Sequence, residues 1–382
     1  MRYLPIILLT LMGCLETYAP TIEFSPTDII VIDGFVNATD KTATVKLSRP
    51  QAMSDQTAFK EITGAVVEVS STSEKFTLKE TSPGNYSLTN LPVKIGEQYT
   101  LHVETDDREF YSDATTVLGT PPLDSITFDL SNDQKALEVR VNSHDPSNDA
   151  KYFSWDYVET YEYTSSFFSG YIWDAKNPRS RRDDEQVYRC WRTTPSSSIG
   201  IVTTKDLSGS VIRQFPIITI PGGSLKVSNR YSVLVKQRVI GLEEYTYLGL
   251  LKKTTESLGG LFGAQPGTVQ GNIHEVGKSN QVVLGFFGAS EVSQARVFIR
   301  YQELPQQLQI RPPVKCKYEY TCMLYPTSRK INCSSLEILG ANYELLTGLV
   351  DATGFIYQYT YSEKDCADCR RQGGVTKRPD FW

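Results

Sequence analysis

The chain has 382 residues, 40% of them hydrophobic, which is enough for more than one packed core and excludes a largely disordered protein. Its 39 basic and 44 acidic side chains leave a formal net charge of -5, which argues against nucleic acid as a partner, since phosphate binding needs a concentrated basic surface. Only three histidines are present, which narrows acid–base and metal chemistry from the outset.

Residues 1–13 read as an export signal: Arg2 supplies a positive charge, and Leu4 to Leu11 form an apolar run too short to span a bilayer. Leu11-Met12-Gly13-Cys14 resembles the lipobox cut by lipoprotein signal peptidase, with Met12 in place of the usual small residue. The expectation is a mature chain that begins at an acylated Cys14, is held on membrane lipid by it, and continues as a tether over 14–28. An ordinary signal peptide with an incidental cysteine is the blander reading, and no A-x-A-like site follows to support it.

From 29 to 120 the pattern predicts an immunoglobulin-like β-sandwich. Ala43, Val45 and Leu47 alternate with polar residues, as do Ala65, Val67 and Val69, and again Tyr99, Leu101 and Val103, so that each strand buries one face. Asp33-Gly34 and Pro83-Gly84-Asn85 supply turn chemistry. Pro121-Pro122 marks a boundary, because consecutive prolines cannot join a central sheet. A second, larger β-rich domain is expected over 121–315, with strands near Leu137 to Val141, Val233 to Val239, Val282 to Phe287 and Ala295 to Ile299.

One helix is expected from about Leu242 to Ser257, where Leu242, Tyr245, Leu248 and Leu251 recur at helical spacing, with Glu243 and Glu244 at its start. Gly259-Gly260 would stop it. The fold class is therefore mainly β: a sandwich, a larger β-rich domain with one helix, and a cysteine-rich segment over 316–382.

Within the second domain, Trp155, Tyr157, Tyr161 and Tyr163 would share one face of a strand, and Trp155 and Tyr157 read as core. Phe167, Phe168, Tyr171 and Trp173 follow in a Ser/Gly-containing stretch and are the candidate partner contacts. Arg179, Arg181 and Arg182 form the one local basic cluster, and Asp183, Asp184 and Glu185 follow immediately, so a self-neutralised loop is expected.

Beyond Cys14 there are six cysteines, Cys190, Cys316, Cys322, Cys333, Cys366 and Cys369, an even number that suits disulfides in an exported protein, with the pairing left open. Zinc and redox readings of Cys366-Ala-Asp-Cys369 are weaker, since no second close pair occurs and the motif lies in a polar tail. No metal and no cofactor are expected. His102, His144 and His274 read as solvated surface residues. His274-Glu275 lacks the second histidine of a zinc-protease helix, and no G-x-S-x-G elbow occurs. Gly271 to Ser279 has one residue too many between its glycines for a phosphate-binding loop.

Several strings, taken in order, resemble an uncharacterised Bacteroidota outer-membrane lipoprotein family known only as a domain of unknown function. They are Cys14-Leu-Glu-Thr-Tyr-Ala-Pro, Ile30-Val-Ile-Asp-Gly-Phe-Val, Val45-Lys-Leu-Ser-Arg, Pro121-Pro-Leu-Asp-Ser-Ile, Gly259-Gly-Leu-Phe-Gly-Ala-Gln-Pro, Gly271-Asn-Ile and Lys377-Arg-Pro-Asp-Phe-Trp382. The resemblance implies an outer-membrane lipoprotein encoded beside TonB-dependent transporters, and it carries over no catalytic residue. Glu16 is a thin version of the acidic stretch that directs such lipoproteins to the cell surface, which is favoured over the periplasmic face with the choice left open.

The functional expectation is a non-enzymatic accessory or ligand-capture subunit of a TonB-dependent transport complex. The alternative is a structural or assembly component without its own ligand. A hydrolase would need two facing carboxylates in a cleft.

Overall fold

The computed structural model describes residues 29–50, 60–174, 177–257, 269–278, 281–312, 316, 320–323 and 342–382. Cys14, Cys333 and Gly259-Gly260 lie outside the described residues.

Period-two alternation builds the first sandwich. Ala43, Val45 and Leu47 point inward from Thr42–Arg49, Val67 and Val69 from Val66–Ser71, and Tyr99, Leu101 and Val103 from Gln98–Glu104, each 2% exposed or less. Burying one such aliphatic side chain contributes about 1.5–3 kcal/mol. Ile30–Asn37, Thr42–Arg49 and Asn85–Thr89 pair antiparallel in one sheet, and Gln98–Glu104 lies between Val66–Ser71 and Glu109–Ser112 in the other.

This sandwich is completed by residues far along the chain. Ile273–Glu275 pairs with Glu109–Ser112, while Val283–Leu284 and Phe287–Ser290 run parallel to Ile30–Asn37. Ile273 and Phe287, 1% and 0% exposed, finish its core. The division into 29–120 and 121–315 therefore needs correction, because 273–290 belongs to the first unit. Alternation tells which side chains turn inward, but it does not say which sheet receives the strand. Two polar devices hold the returning segment. Arg108 grips Glu275 through two hydrogen bonds, 3.0 Å from Nε and 2.5 Å from Nη2, and this pairing holds the Glu275 carboxyl below the usual range. The buried Asn272 carboxamide donates to the Phe287 carbonyl at 3.0 Å and accepts from the Phe287 N–H at 2.8 Å. Gly271-Asn-Ile is thus part of a structural seam, with Ile273 entering a strand.

The second sandwich sets the sheet Leu123–Leu130, Ala136–His144 and Val211–Pro221 against a sheet ordered Arg189–Pro195, Tyr152–Thr164, Arg230–Val239 and Ser293–Arg300. Trp155 and Tyr163 are buried in its core, while Tyr157 is half-buried at its margin. Gln237, fully buried, accepts from the Trp155 indole at 2.9 Å and donates to the Pro121 carbonyl and to Ser143 Oγ, which ties the proline linker into the sandwich.

The helix spans Leu242–Ser257, as its spacing predicts. It bridges the sandwiches: Tyr245 packs on Tyr152 at 4.9 Å between ring centres, and Tyr247 on Phe286 at 5.5 Å. No helix among the described residues is long and apolar enough to cross a membrane.

A third, small sheet of Tyr320–Met323, Ile356–Glu363 and Tyr343–Val350 buries Leu345, Tyr359 and Tyr361. Disulfides Cys190–Cys369 and Cys316–Cys366 tie the C-terminal segment together, and the first of them joins it to the second sandwich. Cys322 is disulfide-bonded as well.

Candidate functional site

The CxxC motif does not close on itself: Cys366 bonds Cys316 and Cys369 bonds Cys190, so both sulfurs are committed to different partners. The four candidate contact aromatics separate. Tyr171 and Trp173 are half-buried and pack against the small C-terminal sheet, with the Tyr171 and Tyr359 ring centres 5.1 Å apart, so the third unit takes up part of their surface. A hairpin, Tyr171–Asp174 with Asn177–Ser180, carries them there, and its apolar side needed a cover that is distant in sequence. Phe167 is half-buried, its N–H donating to the Cys366 carbonyl at 3.0 Å. Phe168 remains, 51% exposed and set edge-on to Tyr188 at 5.5 Å.

Phe168 forms the rim of a groove on the outer face of the second sandwich. One half, about 640 Å³, is lined by Phe168, Gln186, Tyr188, Arg189, Trp191 and Lys377 among others. The other half, about 530 Å³, shares Tyr188 and Arg189 and continues to Arg230, Arg300, Tyr301 and Arg311. Strand register explains the placement: Trp191 stands opposite Glu162, Glu162 opposite Arg230, and Arg230 opposite Arg300, in one row across four strands. Their chain neighbours Cys190, Tyr163, Tyr231 and Ile299 point the other way and are buried, so the row faces outward.

The C-terminal residues form a wall of this groove. Val375 bridges to Trp191 through two backbone hydrogen bonds, the Trp382 indole donates to Glu162 at 3.0 Å, and Arg230 lies over the Phe298 and Trp382 rings at 4.4 and 5.2 Å. Four buried side-chain polar atoms lack a hydrogen-bond partner among the described residues, and three of them border the groove: Gln186 Oε1, Trp191 Nε1 and Arg230 Nε. Such an atom costs about 1–3 kcal/mol, and concentrating this cost at one surface is a mark of a site built for something other than stability.

The arginines of the groove were not visible as a group, because Arg189, Arg230, Arg300 and Arg311 are scattered along the chain. The contiguous cluster is neutralised locally, as expected: Arg179 binds Glu185 at 2.7 Å and holds its carboxyl down at about 2, and Arg182 binds Asp184 at 3.2 Å. Arg181 reaches Glu344 on the small sheet instead.

His144 and His274 are exposed beside Asp124 and Asp113, at 2.8 and 3.0 Å. His102 departs from expectation. It is buried between Glu68 and Glu109, 3.0 Å from each, and stacks on Tyr111 at 4.4 Å. The neighbouring strands cover it with polar side chains that alternation counts as solvent-facing.

Where the sandwiches meet, Arg238 pairs with Glu244 at 2.9 Å and lies over Phe35 at 4.7 Å. Asp33 opens onto a 260 Å³ recess shared with Lys46 and Tyr86, and the protein packed around it pushes its carboxyl up, with Arg238 opposing. Glu244 is committed to Arg238, and Asp156 adds a further negative charge near Asp33 at this joint.

These features define a multi-unit β protein that carries an open, aromatic and arginine-lined groove. Residues 16–296 match a family described as a domain of unknown function, DUF4249, and the chain belongs to that family. A search of curated proteins finds no match. Among solved structures, the chain is similar to a two-domain fibronectin type-III segment from chicken tenascin, at 16% identity over 54% of this chain and 88% of that one, with a TM-score of 0.14. It is also similar to chitinase ChiA74 from Bacillus thuringiensis, at 14% identity over 50% of this chain and 27% of that one, again with a TM-score of 0.14. At those scores neither likeness carries an argument about function.

Proposed function

We propose that this protein is a lipid-anchored, non-enzymatic ligand-capture subunit that works beside a TonB-dependent transporter in the outer membrane. The groove carries the reading: it is open, it joins aromatic faces to cationic side chains, and it gathers partnerless polar atoms. Acylation of Cys14 would confine it to a thin layer beside the membrane, where modest contacts with a neighbouring barrel suffice for a complex.

The rival reading, a structural or assembly component, draws on a different surface. Leu349, Val350, Phe355 and Tyr357 are exposed around the turn of the hairpin Tyr343–Val350 with Ile356–Glu363, and such apolar exposure suits a permanent contact.

The test is to purify the acylated protein from native membranes and identify small molecules released on denaturation. Wild-type protein should release a ligand that is absent from a Phe168→Ala/Arg189→Ala variant with an unchanged melting temperature. Equal release from both, or none from either, contradicts capture at this groove.

A further inference from the structure

Building on the capture reading, we propose that the arginine half of the groove is an oxyanion clamp, selecting small ligands that carry a phosphate-like or carboxylate group. Arg230 and Arg300 stand directly opposite each other on neighbouring strands. Like charges in that position destabilise a sheet unless something between them offsets the repulsion. Protein groups do so only in part. Glu162 is the one carboxylate lining this half, and it already accepts from the Trp382 indole at 3.0 Å and pairs with Arg189 at 3.4 Å.

Arg230 and Arg311 are held by neighbouring groups, and Arg300 is exposed. Arg230 is sandwiched against two aromatic rings with its Nε unpartnered, and Arg311 is fixed by the Ser228 carbonyl at 2.8 Å and the Tyr301 ring at 4.0 Å. Arg300 uses its backbone N–H on Glu303, and among the described residues its exposed guanidinium has no ion pair. Guanidinium forks match the paired oxygens of a carboxylate or phosphate, and those of Arg230 and Arg311 are already held in place. This positive recess sits on a chain of net charge -5, so it is a local feature and not a general attraction for anions. A volume of about 530 Å³ suits a small molecule, with Tyr188 and Tyr301 available for its body.

The experiment is calorimetric titration of the full acylated protein in neutral detergent with phenyl phosphate, benzoate and benzyl alcohol. At least one of the two anions should bind, benzyl alcohol should bind more weakly than that anion, and Arg230→Gln and Arg300→Gln should each weaken the anion by roughly tenfold to a hundredfold. Arg213→Gln, on the opposite sheet, should bind as wild type. Arg300 is exposed, so its variant remains informative even if Arg230→Gln misfolds. Preference for phenyl phosphate or for benzoate assigns the oxyanion type, and either supports the clamp. Benzyl alcohol binding as tightly as the anions, or anion binding unchanged in Arg300→Gln, overturns the clamp and leaves capture by the aromatic half standing. No binding by any probe also overturns the clamp, and native-ligand release then judges capture on its own.

Discussion

Gly285→Ala is expected to lower the stability of the protein by about 3 kcal/mol or more, the upper end of overpacking effects. A Cβ at this position would run into the Ile32 carbonyl oxygen, and the backbone there has φ +109, a conformation that side chains rarely adopt. The clash is with main chain, so no side-chain rotation relieves it. The surroundings are also held: the Gly34 N–H donates to the Phe286 carbonyl at 2.9 Å, and the Gly285 N–H donates to the Tyr247 hydroxyl at 3.1 Å. Relief would pull Val283–Leu284 and Phe287–Ser290 off the strand Ile30–Asn37 and open the first sandwich. Thermal unfolding with limited proteolysis checks this, with early cleavage expected between the helix and residue 290. A change within about 0.5 kcal/mol, the usual size for an inert surface site, would show that the returning segment does not hold the sandwich closed.

Replacing Cys190 and Cys369 together by serine should cost about 5 kcal/mol on the chain-entropy account, since the bond spans a sequence separation of 179. Strain and residual structure in the unfolded chain reduce such values, so a loss of about 2–5 kcal/mol is the working range. Both cysteines are fully buried, and the Tyr163 hydroxyl donates to the Cys369 carbonyl at 2.9 Å. The bond fastens the tail that carries Thr376, Lys377 and Trp382 along the groove, so binding at the groove should fall as the tail loosens. Calorimetry and the rate of C-terminal proteolysis measure it. An unchanged unfolding profile would mean that the hydrogen bonds of the tail suffice without the disulfide.

Local pattern was enough to read much of the fold. The alternation at Ala43, Val45 and Leu47 and the helical spacing at Leu242 to Leu251 are local signals, and both elements form where their patterns lie, although in the helix Leu242 is exposed and Glu244 is buried. Pairing between distant segments was not legible. Nothing in Ile273 or Phe287 says that it completes a sandwich begun at Ile30, because the return depends on backbone register and on pairings such as that of Arg108 with Glu275, 167 residues away. The site was less legible than the fold. Of the contact aromatics only Phe168 is exposed at the groove, since Tyr171 and Trp173 found cover in a sheet formed by residues after 319. The groove's arginines come together only through the strand pairing that sets Arg230 opposite Arg300, while Arg179 and Arg182 of the basic cluster that is obvious in the sequence pair with the acidic residues beside them.

The central claim, a capture subunit working with a TonB-dependent transporter, is tested most directly by affinity purification of the acylated protein from native outer membranes, with wild type and Cys14→Ala compared in parallel. The account predicts that wild type brings down a TonB-dependent transporter in near-equal amount and that Cys14→Ala, lacking its anchor, does not. Recovery of wild type alone, or with outer-membrane assembly machinery and no transporter, would contradict it.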